Sequence, residues 1–176
     1  PGPFSFEGSY YRAKDLDALP KPVQRPRPPL ILGGKGGERS LHLAARLADE
    51  YNTVFSTPAE MAEMRERLDR ACEDEGRDPA TLPLSLMTGW LVGADGDELR
   101  DRAHRLAEWR GADDDPDAFL AGLPDSWVTG TVPQAVDHLR ELQEAGVKRI
   151  MAQHLLHRDL EAIELIGTEV IPAIAR

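Results

Sequence analysis

Between Pro29 and Asn52 the chain reads PLILGGKGGERSLHLAARLADEYN, with Gly33, Gly34, Gly36 and Gly37 inside five positions. An apolar, strand-like run precedes them and an amphipathic helical pattern follows, so the glycines form a strand-to-helix turn. The first amides of a helix lack partners, its dipole is positive there, and glycine lets an anion come close to the backbone. Lys35 inside the loop, and Arg39 and Ser40 just beyond it, add two cations and a hydroxyl. The chemistry this suits is the holding of a phosphate. A single glycine at such a turn needs nothing beyond a positive φ; four in five positions ask for more.

Two well-known phosphate loops do not fit. A dinucleotide fingerprint needs a third glycine where Arg39 stands, and an acid after the next strand, where NTVF runs into Ser56 and Thr57. A P-loop needs glycine at Pro29 and a hydroxyl residue at Gly36. A G-x-S-x-G hydrolase elbow is absent from the sequence. His154 and His157 follow the last strand pattern, but no Cys or carboxylate stands at ligand spacing before Asp159, so no metal site is expected. Gln153 and His154 are candidates for touching substrate or cofactor, while His42, His104 and His138 read as surface or boundary residues of helices. Cys72 and Trp90 read as packing residues; Trp109 and Trp127 flank the acidic loop GADDDPD and read as cover or interface.

The elements that must position the loop alternate along the chain. PLIL is a short buried-strand pattern, and Leu41, Ala44, Ala45 and Ala48 recur at helical spacing. YNTVF is the next strand. TPAE opens a helix, with Thr57 as cap, Pro58 at the first position and Glu60 closing a capping box. LPLSLMTGWLVG is a third strand, followed by a helix through Leu99, Ala103 and Leu106. Thr131 and Gln134 form a second capping box, KRIMAQHL is a fourth strand, and a last helix carries Pro172 in its final turn. Four strands alternating with helices predict a parallel α/β sheet. Such a sheet is either a small doubly wound fold or half of a (β/α)8 TIM barrel. Seven of the fourteen prolines fall in residues 1–29, so 1–28 reads as an extended strap with an aromatic hairpin at FSFEGSYYR, ahead of a domain over 29–176.

The totals narrow the partners. The 176 residues are 41% hydrophobic and 30% charged, and 31 acids against 21 bases give a formal charge of −10. This balance disfavours nucleic acid and anionic membranes, so a bound anion must be held by a few local donors. The one cysteine excludes an internal disulfide, and no apolar run approaches 18 residues, which makes the cytoplasm the expected compartment. The sequence begins at Pro1 and the first segment opens inside a hairpin, which favours the half barrel.

PVQRPRPPLILGGKGGERSLHLAARLADEYN, then GRDP, GTVPQAV, AGVKRIMAQ and RDLEAIELI, stand in the order found in the luciferase-like monooxygenase family. The chain resembles that family's deazaflavin (coenzyme F-420)-dependent branch over nearly its whole length. The resemblance implies the C-terminal half of a (β/α)8 barrel, four parallel strands alternating with helices. It implies an oxidoreductase that moves a hydride between coenzyme F-420 and a small organic substrate, with the cofactor phosphate at Gly34, Lys35, Gly36, Gly37, Arg39 and Ser40. Where the family often has glycine and threonine, this chain has Lys35 and Ser40. Homodimers are common in the family. Its catalytic side chains lie mainly on the other half of the barrel, so none is assigned here and this half alone is expected to be inactive. Two alternatives stay open: an FMN-dependent monooxygenase on the same fold, and a non-catalytic α/β module that binds a phosphorylated ligand.

Overall fold

The computed structural model describes residues 2–112 and 115–175. Asp113 and Asp114 of the acidic loop lie outside the described residues. The chain starts with an antiparallel hairpin, β1 (Phe4–Glu7) and β2 (Arg12–Leu16), followed by an irregular proline-rich stretch to Leu30. Phe4, Phe6, Tyr10 and Tyr11 of the hairpin are exposed.

The α/β body then follows the expected alternation: β3 (Ile31–Gly33), α1 (Glu38–Leu47), β4 (Glu50–Val54), α2 (Pro58–Asp74), β5 (Leu84–Gly93), α3 (Gly96–Arg110) and α4 (Pro116–Ala121). After these come β6 (Val128–Thr131), α5 (Val132–Glu144), β7 (Val147–Gln153), α6 (Leu160–Leu165) and α7 (Ile171–Ile174). Both capping boxes form, Thr57 with Glu60 and Thr131 with Gln134. The sheet is parallel throughout, with β5 at its centre between β4 and β7. One strand was not expected. VTGT pairs with the far end of β5 as β6, making five strands where the apolar patterns predict four. It was hidden because only its first residue, Val128, is fully buried.

Pro172 disturbs more than the final turn. The last helix widens into a π segment over Ile166–Val170 before its closing turn at Ile171–Ile174. Pro172 has no N–H to give, and its ring needs room over the carbonyl one turn back.

Period-two alternation assigns the two faces of the sheet. Leu32, Tyr51, Leu86, Trp90 and Ile150 face α1, α2, α5 and the C-terminal helix in one apolar cluster. The opposite face carries Ile31, Asn52, Ser85, Met87, Arg149, Met151 and Gln153, which the strand registers align in rows. Near the top of that face the Trp127 ring lies on Gly89, whose missing Cβ would come within 2.0 Å of the ring. Trp127 belongs to a second cluster with Leu91, Leu106 and Phe119, which closes this end of β5 beneath α3 and α4.

Among the described residues, nothing pairs with the outer edge of β3 or of β7. Leu30 and Ile31 at the β3 edge are exposed, as are Leu160, Ile163 and Ile171 of the C-terminal helical stretch. A free-standing sheet normally covers or charges such edges. This one ends as a barrel does when cut between strands.

Candidate functional site

The glycine loop leaves β3 at its carboxyl end, the end where the ligand-binding loops of parallel α/β folds gather. Its shape is set from below by Tyr51, a fully buried residue of β4. The Tyr51 hydroxyl accepts the Gly36 N–H at 3.0 Å and sits 3.2 Å from Ser40 Oγ. The Ser40 hydroxyl donates to the Gly37 carbonyl at 2.7 Å, and the Arg67 guanidinium donates to the Gly36 carbonyl. The Gly34 amide is held by the Asn52 carbonyl at 3.0 Å. Gly36 has φ +70°, and a Cβ there would stand 2.7 Å from Met64 Sδ.

These bonds divide the six expected phosphate residues. The Gly34 and Gly36 amides and the Ser40 hydroxyl are spent on the protein. The amides of Lys35, Gly37, Glu38 and Arg39 take part in no hydrogen bond among the described residues. Gly37 caps α1 without a side chain, so the amides of Gly37, Glu38 and Arg39 stay open at the helix start, while the Ser40 N–H donates to the Gly37 carbonyl at 2.8 Å. Lys35 and Arg39 are exposed and enter no ion pair there; the acid at this turn is Glu38, also exposed. The group thus offers a backbone nest with two exposed cations around it. An anionic tail fits it, with Glu38 as the one unfavourable charge.

Tyr51 and Arg67 escape sequence reasoning, because they reach the loop from 15 and 31 residues away. A tyrosine opening a strand directly after the helix is the only local trace of the first.

The inner face of the sheet lies below this rim. The Asn52 amide donates to Ser85 Oγ at 3.0 Å and lies 3.8 Å from Met151 Sδ. Gln153 Nε2 is 3.4 Å from Met87 Sδ, at the carboxyl ends of β7 and β5. Lower down, Arg149 pairs with the buried Glu50 at 3.1 Å. Of the residues singled out in the sequence, Gln153 is therefore the one that faces the mouth.

His154 does not face it. Its side chain is 7% exposed, and the nearest carboxylate oxygen, on Asp159, is 3.8 Å away. Burial pushes its pKa below the ordinary imidazole value; Asp159 pulls it back and Arg102 adds to the depression. Burial likewise lowers His138, with Glu141 opposing. Both groups take up a proton more readily unfolded than folded. Their contribution to stability is therefore complete above the ordinary value of about 6.5 and is lost as pH falls through it. The urea midpoint of the chain is expected to drop on acidification through that range. His154→Phe and His138→Gln should each flatten the slope.

Among the described residues, no three His, Cys, Asp or Glu side chains converge as a metal site, and no helix is long and apolar enough to cross a membrane. Trp90 is buried against the helices, Trp109 is exposed and Cys72 is buried in the core.

Comparison with known proteins agrees with this geometry. Residues 2–149 match the family model described as luciferase-like monooxygenase. The chain is 24% identical to the FMNH(2)-dependent dimethylsulfone monooxygenase of Pseudomonas putida, covering 97% of this chain and 53% of that protein. Its fold is similar to the coenzyme F420-dependent tetrahydromethanopterin reductase from Methanopyrus kandleri, with a TM-score of 0.73, 21% identity, and coverage of 98% of this chain and 58% of the other. It is also similar to an F420-dependent secondary alcohol dehydrogenase, with a TM-score of 0.67, 19% identity, and coverage of 98% and 56%. The chain spans about half the length of the relatives it matches.

Proposed function

The chain belongs to the luciferase-like monooxygenase family, and from that premise we propose that it is half of an oxidoreductase moving a hydride between coenzyme F-420 and a small organic substrate. The observation that carries this reading is the unspent row of amides at Gly37, Glu38 and Arg39, on the rim where the strands' carboxyl ends meet. Lys35 and Arg39 would flank the cofactor phosphate, and Tyr51 and Arg67 would keep the loop open for it. When bound, the deazaflavin supplies the hydride chemistry. This chain's share is to hold the anionic tail and to offer the wall of Asn52, Met87, Met151 and Gln153 below it.

FMN on the same fold is the second reading, supported by the likeness to an FMNH(2)-dependent enzyme. The phospho-ligand module is less well supported, since a self-contained sheet would not leave both edges open. Homodimerisation remains part of the proposal through the family resemblance alone, and a cytoplasmic setting through the single cysteine and the lack of a long apolar run in the sequence.

Fluorescence titration of F-420 and of FMN with the 176-residue chain tests the assignment. We expect weak, F-420-preferring binding, because half of the barrel mouth is outside this chain. Arg39→Ala should weaken it by about three- to ten-fold, as fits one charge-assisted contact. Tight stoichiometric binding would overturn the half-site reading, and a preference for FMN would establish the second one.

A further inference from the structure

The chain carries sulfur on four methionines and one cysteine. Met61, Met64 and Cys72 lie on the buried face of α2. Met87 and Met151 are partly exposed, and both stand on the inner face of the sheet. The β5–β7 register sets these two directly opposite one another. Neighbouring strands lie about 4.8 Å apart, so side chains placed in this way are neighbours. Every sulfur outside the core is therefore gathered at one spot, on the wall below the glycine-loop rim.

Each of the two sulfurs has a side-chain amide beside it. Gln153 Nε2–H donates to Met87 Sδ at 3.4 Å. Asn52 Nδ2–H, already bonded to Ser85 Oγ at 3.0 Å, reaches Met151 Sδ at 3.8 Å. A thioether is a weak acceptor, so neither amide gains much from it. Oxidation turns a methionine from apolar to polar by adding an oxygen to the sulfur, and that oxygen is a far better acceptor. Next to each oxidisable sulfur the wall thus keeps a donor that the reduced form underuses and the oxidised form would engage.

We propose that Met87 and Met151 form a paired oxidation site for hydrogen peroxide. At each, a sulfur lone pair attacks one peroxide oxygen, so that an S–O bond forms and the O–O bond breaks. Both peroxide protons end on the departing oxygen, which leaves as water. Sulfur is oxidised by two electrons and the peroxide is reduced by two. The Gln153 and Asn52 amides then hold the sulfoxide oxygens, and an apolar patch of the wall becomes polar. The consequence rests on the cofactor reading: the oxidised wall holds the coenzyme ring less well, so peroxide lowers cofactor binding.

Peptide mass mapping of the full 176-residue chain after limited hydrogen peroxide treatment tests the site. We expect sulfoxide at Met87 and Met151 about ten-fold sooner than at Met61 and Met64, because susceptibility follows exposure. Equal rates at all four overturn the proposal. Nitrogen-15 spectra read the amides, which an ordinary exposed methionine would not move. The side-chain NH2 signals of Gln153 and Asn52, assigned by their loss in Gln153→Glu and Asn52→Asp, should shift downfield on oxidation. Signals that stay in place overturn the accommodation of the sulfoxides. Titration with F-420 reads the consequence. Oxidation should weaken binding by the parent about five-fold, the order of one neutral hydrogen bond. The double variant Met87→Leu, Met151→Leu, which conserves volume, should bind equally before and after peroxide. An equal loss in both proteins places the damage elsewhere and overturns the effect on binding. If the untreated chain binds no F-420, the cofactor assignment fails, while the mass map and the amide shifts still decide the oxidation site.

Discussion

Substituting Arg102 by leucine is expected to lower the unfolding free energy by about 3–5 kcal/mol, the cost of breaking a buried ion pair from one side. The Arg102 side chain is 0% exposed and that of Asp159 is 2% exposed. The guanidinium donates to Asp159 Oδ2 at 2.9 Å and to the Val92 carbonyl at 2.9 Å, and it pairs with Glu98 at 2.5 Å. Leucine would leave Asp159 with Arg105 alone, at 3.1 Å, and would orphan the Val92 carbonyl. Asp159 also accepts the Ala162 N–H at the start of α6, so the loss spreads to the C-terminal helix.

Two further measurements separate charge from packing. Burial by itself raises the Asp159 carboxyl. The hydrogen bonds from Arg102 and the Ala162 amide, with the charges of Arg102 and Arg105, outweigh it and hold the group below its ordinary value. A carboxyl lowered by folding contributes stability above the ordinary value of about 3.9 and loses it as pH falls further. Arg102→Leu should therefore remove part of the acid limb of the stability curve. The double variant Arg102→Leu, Asp159→Leu should recover part of the loss, because it no longer buries an uncompensated carboxylate. Urea midpoints across that pH range read both effects, and a single variant as stable as the parent would refute the account.

Gly36→Ala is expected to strike the phosphate loop itself. The left-handed conformation at φ +70° costs a residue with a side chain about 1–2 kcal/mol. The new methyl would also stand 2.7 Å from Met64 Sδ, in a residue that is 8% exposed, and so push at the core. A total near 2–3 kcal/mol follows if the loop keeps its shape. If it relaxes instead, the Gly36 N–H leaves Tyr51 and the open amides lose their common aim, so cofactor binding falls while stability is partly recovered. Denaturation and cofactor titration on the same variant distinguish the two routes. Unchanged values in both would show that the turn tolerates any residue.

Features written in neighbouring residues could be read before the fold was seen. Thr57 with Glu60 and Thr131 with Gln134 announce helix starts, because the bonds they make span three residues. Met61, Met64, Leu68 and Cys72 mark a buried face by spacing alone and are buried. The glycine cluster announced a turn for the same reason. What it could not announce is that Tyr51 and Arg67 consume the Gly36 amide and carbonyl, leaving the helix-start amides as the open donors. The Arg102–Asp159 pair is equally silent, since its partners stand 57 residues apart and each sits in an ordinary polar context. Strand β6 was missed because a valine and three small residues carry no alternation to detect.

The central strand is hydrogen-bonded to three others: β4 and β7 along its first half and β6 beyond Gly89. No partial opening can free it without tearing several ladders together, whereas the C-terminal helix can fray with few such losses. The molecule is thus organised like a spindle, with a rigid axle running from Leu84 to Gly93 and looser parts arranged around it. A chain wired in this way can take on a companion at its two outer strands while its own hub stays assembled.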